Sequence, residues 1–261
     1  MKKRMIYQVY TGKPSKLYDH CIKSVRDYCE AHGIAHMIQR TPKMRIKPDI
    51  FRTNRSKESY EKYGGFLPIY EKENAFDHFG TYDQICIIDA DIWIRPGSPN
   101  IFNQLDDDTD FAGMCEKKGP IKDWYKQKLD NYTRMQYGPL KDINWYFEAG
   151  RGGEFYNMGL MLMNESITQY LRGDSGKEFI QRPEFKDFVD GMGPWKWSTD
   201  QTLLNYWIRK ENMNIKQLDY KWNALYSAVN HIDKAYFVHF FLKDKLPNKG
   251  ENVEELMKDV S

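Results

Sequence analysis

Long apolar runs are missing from this chain of 261 residues. No stretch approaches the ~20 consecutive apolar residues that a membrane-spanning helix needs, so no transmembrane segment is expected. The basic start Met1-Lys2-Lys3-Arg4 is followed only by Met5-Ile6-Tyr7 before Gln8, too short an apolar run for a cleavable signal peptide. Charge of one sign is scarce in net terms: 39 Lys+Arg stand against 37 Asp+Glu, a formal charge of +2. Binding that relies on broad phosphate neutralisation needs a larger excess, so no nucleic-acid partner is expected. Cysteine is sparse as well, and Cys21, Cys29, Cys86 and Cys115 form no C-x-x-C. They sit in helix-like or strand-like apolar surroundings, which argues against a disulfide framework or zinc site. Neither an internal repeat nor an interdomain linker is visible. A cytoplasmic protein is the expectation, at most peripheral to a membrane.

Hydrophobic residues nevertheless reach 41% and aromatics 15%, enough for a real core. Such a length holds one large α/β domain or two small ones. Residues 5–10 read as a buried strand, followed by the turn Thr11-Gly12-Lys13-Pro14 and a helix capped by Ser15. Leu17, Cys21, Ile22, Val25, Tyr28 and Cys29 repeat at helical spacing up to Gly33. A strand at 35–38 completes the order expected of a parallel βαβ unit. Residues 40–66 break the pattern, with eight basic and three acidic residues between Arg40 and Lys62. They read either as a solvated loop or as a cationic lid over an anionic ligand.

Beyond them a helix is expected over 67–79 and a fully apolar strand over 84–88, of the kind that fills the middle of a parallel sheet. Other strands are expected at 111–114, at 155–164 as a pair broken at Gly159, at 215–218 and at 235–241. Helices are expected near 165–171, 183–189 and 251–261. Residues 116–153 are rich in aromatics without clean periodicity, a length that is usually functional or mobile. Ser198-Thr199-Asp200-Gln201 has the form of a capping box that opens a further helix.

The chemistry concentrates where the apolar strand ends in Asp89-Ala90-Asp91. Residues i and i+2 of a strand project to one side, so both carboxylates face one point at the carboxyl end of a sheet strand, where open α/β sheets bind ligands. Close carboxylates repel unless a proton or cation relieves them, and hard divalent metals take such ligands together with phosphates. The alternative is an acidic turn that merely ends the strand. Two other D-x-D spacings, Asp106 with Asp108 and Asp108 with Asp110, lie in a polar cluster and read as a solvated loop.

Four segments in one order carry a resemblance: Ile88-Asp89-Ala90-Asp91, Phe155 to Asn164, Ser198 to Asn205, and His239 to Lys245. Together they resemble the GT-A glycosyltransferases, and among these family 8, the group of glycogenin and the bacterial lipopolysaccharide galactosyltransferases. The resemblance spans roughly residues 5–245. It implies an α/β fold: a single Rossmann-like GT-A domain with a mostly parallel central sheet flanked by helices. Residues 1–115 would form the nucleotide-binding half, 116–250 the donor-sugar and acceptor half, and 251–261 a peripheral helix. The implied activity is metal-dependent transfer of a sugar from a nucleotide-diphosphate donor, a UDP-sugar, to a hydroxyl of a glycan or glycoconjugate acceptor, with retention of configuration.

By the same resemblance Asp89, Asp91 and His239 hold manganese, with magnesium the alternative, although His239 follows an apolar run and a core histidine is the plainer reading. Lys245 takes the place of a diphosphate-binding lysine in a motif that here lacks its glycine, Leu242 standing instead, and Lys243 is the other cation on offer. Lys72 on the preceding helix, and Tyr10, Thr11 and Gly12 after the first strand, fall where the nucleotide and diphosphate are held. Asn157 and Gly159 match a donor-sugar segment, a strand bulge being the alternative. Asp200 and Gln201 match a catalytic pair beside the donor sugar, with Glu148 and Glu154 as unassigned carboxylates. Trp195 and Trp197, with the 116–153 aromatics, are offered as an acceptor surface because flat rings stack on sugar faces. A sugar-nucleotide pyrophosphorylase would want a glycine-rich loop after the first strand, which is missing. A non-catalytic carbohydrate-binding protein and a glycoside hydrolase are the remaining readings.

Overall fold

Met5, Ile6 and Tyr7 are wholly buried because their strand, β1 (Arg4–Val9), runs between two parallel neighbours, β2 (Ala35–Gln39) and β3 (Gln84–Ile88). The computed structural model describes residues 2–49, 54–147 and 153–260. Helix α1 (Lys16–His32) connects β1 to β2, and its buried face is the apolar stripe seen in the sequence. It stops at Gly33, whose left-handed backbone sends its N–H back to the carbonyls of Cys29 and Glu30. Ser15 does stand at the N-cap, but its hydroxyl turns to Glu251 at 2.8 Å, and Glu251 also accepts from the Lys16 N–H at 3.1 Å. The missing local cap is thus supplied by a residue distant in the chain.

After β3 come β4 (Ile92–Ile94), β5 (Phe111–Gly113), β6 (Leu160–Asn164), β7 (Ile215–Gln217), β8 (Ala224–Leu225) and β9 (Phe237–His239). The described residues build a six-stranded sheet in the order β2-β1-β3-β6-β5-β7, in which β6 alone runs against the rest. A second sheet joins β4, β9 and β8. The mostly parallel sheet flanked by helices agrees with the expected fold class. No described helix is long and apolar enough to cross a membrane. All four cysteines are buried and free.

Several expectations need correction. The 40–66 stretch contains a helix, α2 (Asn54–Tyr63), and its earlier part is fastened rather than loose. Glu71 accepts hydrogen bonds from the backbone N–H groups of Lys43, Met44 and Arg45 at 2.7–3.1 Å. The expected helix over 67–79 is a 3-10 helix, Pro68–His78, buried on several sides at once, so tertiary contact rather than one amphipathic stripe shapes it. The 116–153 excursion contains helix α3 (Asp123–Tyr137), whose aromatics mostly enter the core. Tyr137 is fully buried and stacks on Trp145 at 4.1 Å.

Over 155–164 there is one strand, β6, and Tyr156 only bridges Cys115. Short helices α4 (Thr168–Leu171), α5 (Gly176–Ile180) and α6 (Lys186–Asp190) lead to α7 (Asp200–Lys210), and α8 (Val253–Val260) lies near the end. The Ser198 capping box does not form: Thr199 is the N-cap of α7, and the Ser198 hydroxyl donates to the Phe188 carbonyl. A true capping box stands at Ser175 and Glu178 instead. Asp110 is no solvated loop residue either, since it is buried and accepts from Ser166, Tyr170 and the Asn214 N–H.

Candidate active site

Asp89 and Asp91 lie in the turn that leaves β3, not within the strand, so alternation of side chains is not what brings them together. The turn is shaped by two backbone bonds, Asp89 N–H to the Gly159 carbonyl at 2.8 Å and Ile92 N–H to the Asp89 carbonyl at 3.2 Å. Strand pairing then delivers the histidine. β4 runs antiparallel to β9 with Ile92 opposite His239, and the Phe240 N–H donates to the Asp91 carbonyl at 3.0 Å. His239 Nε2 ends 3.3 Å from Asp91 and 3.7 Å from Asp89. One ligand atom from each of the three residues lies within 4.8 Å of the other two.

The imidazole is held by neutral neighbours. Asn223 directs its NH2 to Asn157 Oδ1 at 2.9 Å, leaving its own carbonyl oxygen to accept from His239 Nδ1 at 3.1 Å. Nε2 is thereby turned toward the acids. Two carboxylates and an imidazole nitrogen facing one another repel unless a proton or cation joins them, so the donor set fits a divalent metal. The acids show the same tension: burial works against charging His239, but Asp91 and then Asp89 outweigh it and raise its pKa above the ordinary value.

Gly159 is small for a steric reason. A Cβ there would come within 2.3 Å of the His239 ring. Asn157 is engaged at both ends, donating to Glu116 at 2.7 Å while its oxygen accepts from the Gly159 N–H at 3.0 Å. Asn157, through Asn223, and Gly159, by its lack of a side chain, thus help to seat the histidine. Glu116, buried and missed in the sequence, also accepts from Tyr125 and, at 3.4 Å, from Gln201 Nε2. Burial raises its pKa, with the Tyr125 and Asn157 hydrogen bonds opposing. Gln201 Oε1 accepts from the Met158 N–H at 3.2 Å, which fixes its amide.

On the opposite flank Lys72 projects from the Pro68–His78 helix between two acids. Its ammonium lies 2.9 Å from Asp89 and 2.7 Å from Asp200 at the start of α7, and it also donates to the Met158 carbonyl at 2.9 Å. Burial opposes its charge, but Asp200 and Asp89 prevail and raise its pKa. Asp200 is shifted upward by burial, against the pull of Lys72. Glu73, fully buried with neither carboxyl oxygen hydrogen-bonded, is pushed well up by burial and by Asp200, and nothing in the sequence marked it.

A cleft of about 300 Å³ opens above these groups, and Tyr10, Thr11, Gly12 and Tyr18 wall its far side. Lys243 sits at this wall, its ammonium 3.8 Å from the Tyr18 ring centroid. Lys245 is elsewhere, over Trp124 at 4.0 Å and on a separate groove. Trp195 is half-buried, donating to the Gln136 carbonyl and packing edge-on against Phe188, whereas Trp197 is 63% exposed. Glu154 pairs with Lys118 at 3.3 Å, and Glu148 lies outside the described residues.

No family model matches the chain, and no curated protein does. Solved structures do. An active-site mutant of LgtC is similar with a TM-score of 0.50 at 13% identity, over 99% of this chain and 96% of that one. The galactosyltransferase LgtC with donor and acceptor sugar analogues gives 0.48 at 14% identity, over 98% and 94%. A glycosyltransferase involved in glycosylation of the major capsid of PBCV-1 gives 0.48 at 12% identity, over 97% and 99%. The first of these likenesses shows that this chain has the GT-A-like fold of LgtC.

Proposed function

We propose that this chain is a metal-dependent glycosyltransferase that moves a sugar from a nucleotide-diphosphate donor, a UDP-sugar, to a hydroxyl of a glycan or glycoconjugate, with retention. One observation carries the reading: Asp89, Asp91 and His239 converge beside a cleft in which Lys72 bridges Asp89 and Asp200. The GT-A-like fold supports it, since in that fold the resemblance described above assigns the same positions to donor and metal. Residues 1–115 then form the nucleotide half and 116–250 the donor-sugar and acceptor half.

Asp89, Asp91 and His239 would hold the cation, manganese by the mixed oxygen and nitrogen set, with magnesium the alternative. When bound, it supplies Lewis-acid stabilisation of the departing diphosphate. The chain's own groups do the rest. Tyr10, Thr11 and Gly12 receive the nucleotide, and Lys243 faces the diphosphate from the Tyr18 wall. Lys72 neutralises Asp89 and holds Asp200 so that its second oxygen meets the sugar hydroxyls. Gln201, its amide fixed by Met158 and Glu116, stands one residue further along α7, near the reacting carbon. Dipoles and charges fixed in advance cost no reorganisation as charge develops.

A thermal-shift screen of UDP-, GDP- and CMP-sugars with and without manganese tests this, because a ligand that binds only the native state raises its apparent stability. Stabilisation by a UDP-sugar that requires manganese is expected, and Asp91→Ala should abolish it while keeping the fold. An undiminished shift in that variant would remove Asp91 from the metal site. The anomeric configuration of the product, read by NMR, checks retention.

A further inference from the structure

Resting on the transferase reading above, we propose that the open groove around Trp124 is the acceptor subsite, and that the saccharide it takes is anionic, bearing a carboxylate or phosphate. The groove has a volume of about 770 Å³, and Trp124 is 38% exposed on it. Exposed indole surface suits the apolar face of a sugar ring.

Two cations stand beside that ring. Lys245 holds its ammonium 4.0 Å from the indole centroid, and Lys122 donates to the Ser227 carbonyl at 3.3 Å. Neither has an ion-pair partner among the described residues, unlike Lys72 in the cleft. Asp259, the one acid of the groove, accepts from the Tyr226 hydroxyl. A saccharide that brings its own anion supplies what the lysines lack.

Two residues of the groove's lining, Trp124 and Tyr226, are linked to the candidate metal ligand. Ring contacts run from His239 to Phe241, from Phe241 to Tyr125 and from Tyr125 to Trp124, with centroid steps of 5.7, 5.5 and 5.3 Å. From the other side the Tyr226 N–H donates to the His239 carbonyl at 3.0 Å. The Trp124 ring thus lies no farther from His239 than those three steps together, a span that several linked sugar units can cover. The departure of Lys245 from the cleft is explained as well, since its charge serves the acceptor.

Saturation-transfer NMR on the full chain tests the proposal, with trigalacturonate and glucose 6-phosphate as probes against maltotriose and glucose. Exposed ammonium groups contribute little singly, so each anionic probe should bind roughly fivefold tighter than its neutral counterpart. That preference should collapse near about 1 M salt. Trp124→Ala should lose all four sugars at unchanged thermal stability, while Lys122→Gln with Lys245→Gln should keep the neutral ones and lose the preference. A preference confined to trigalacturonate would identify a carboxylate-bearing unit, and one confined to glucose 6-phosphate a phosphate-bearing unit. Equal affinity for charged and neutral sugars, or wild-type binding by Trp124→Ala, would overturn the proposal. Nucleotide is absent from these titrations, so a failed donor shift with intact saccharide binding counts against the transferase reading, and the reverse against this groove.

Discussion

On one flank of the Asp89–Asp91 pair, Lys72 is clasped by Asp89 and Asp200 with the carboxyl of Glu73 buried nearby. On the other, His239, Asn223, Asn157 and Glu116 are joined through amides, each bond between 2.7 and 3.1 Å. The first flank gathers formal charge in a place where charge is expensive, and its groups titrate away from their ordinary values as a result. The second spends uncharged hydrogen bonds on orientation, fixing which imidazole nitrogen faces the acids. One flank thus concentrates charge, and the other orients an imidazole through amides.

Breaking the charged flank should cost most. Lys72→Ala leaves Asp89 and Asp200 facing each other without their shared cation, and a loss of about 3–5 kcal/mol is expected in denaturant titration. A loss under about 1 kcal/mol would show that water already screens the pair. On the amide flank, Asn223→Ala should cost less, about 1–3 kcal/mol, because it orphans buried partners rather than charges. It should also weaken manganese binding by about tenfold or more, read by the paramagnetic resonance of free manganese. Unchanged affinity there would mean that the histidine is aimed by packing alone.

The effect smallest at each step, a slope rather than a single loss, sharpens the contrast through pH. Because the folded pKa of Glu73 lies above the unfolded value, the folded chain keeps a proton that the unfolded chain releases. The stability this lends is complete below the ordinary glutamate value of 4.5 and drains as pH rises through the folded pKa. Glu73→Gln should therefore gain on the wild type by up to about 1.4 kcal/mol per pH unit between that value and the folded pKa, and no further beyond it. Parallel stability curves for the two proteins would show that Glu73 finds a partner when charged.

Much of this architecture was legible. The stripe on α1 and the apolar β3 follow from periodicity and burial alone, and the acids that follow β3 were found because they follow it. His239 came only through resemblance, since an imidazole after an apolar run looks like core until β4 pairs with β9. Asn223, Glu116 and Glu73 left no signal: each acts through a neighbour remote in sequence, and none belongs to a local pattern. Helix α3 was hidden because Trp124, Tyr125, Tyr132 and Tyr137 blur the apolar period. The failed Ser198 cap has a similar origin, its hydroxyl being claimed by the carbonyl of Phe188 before it can serve α7.

Glu71 and Lys72 are consecutive residues tied to different parts of the molecule. Glu71 moors the backbone of residues 43–45, and Lys72 stands between the acids of the cleft. One short buried helix thus anchors two places at once, and a shift of its backbone would disturb the mooring of residues 43–45 and the seat of the ammonium together.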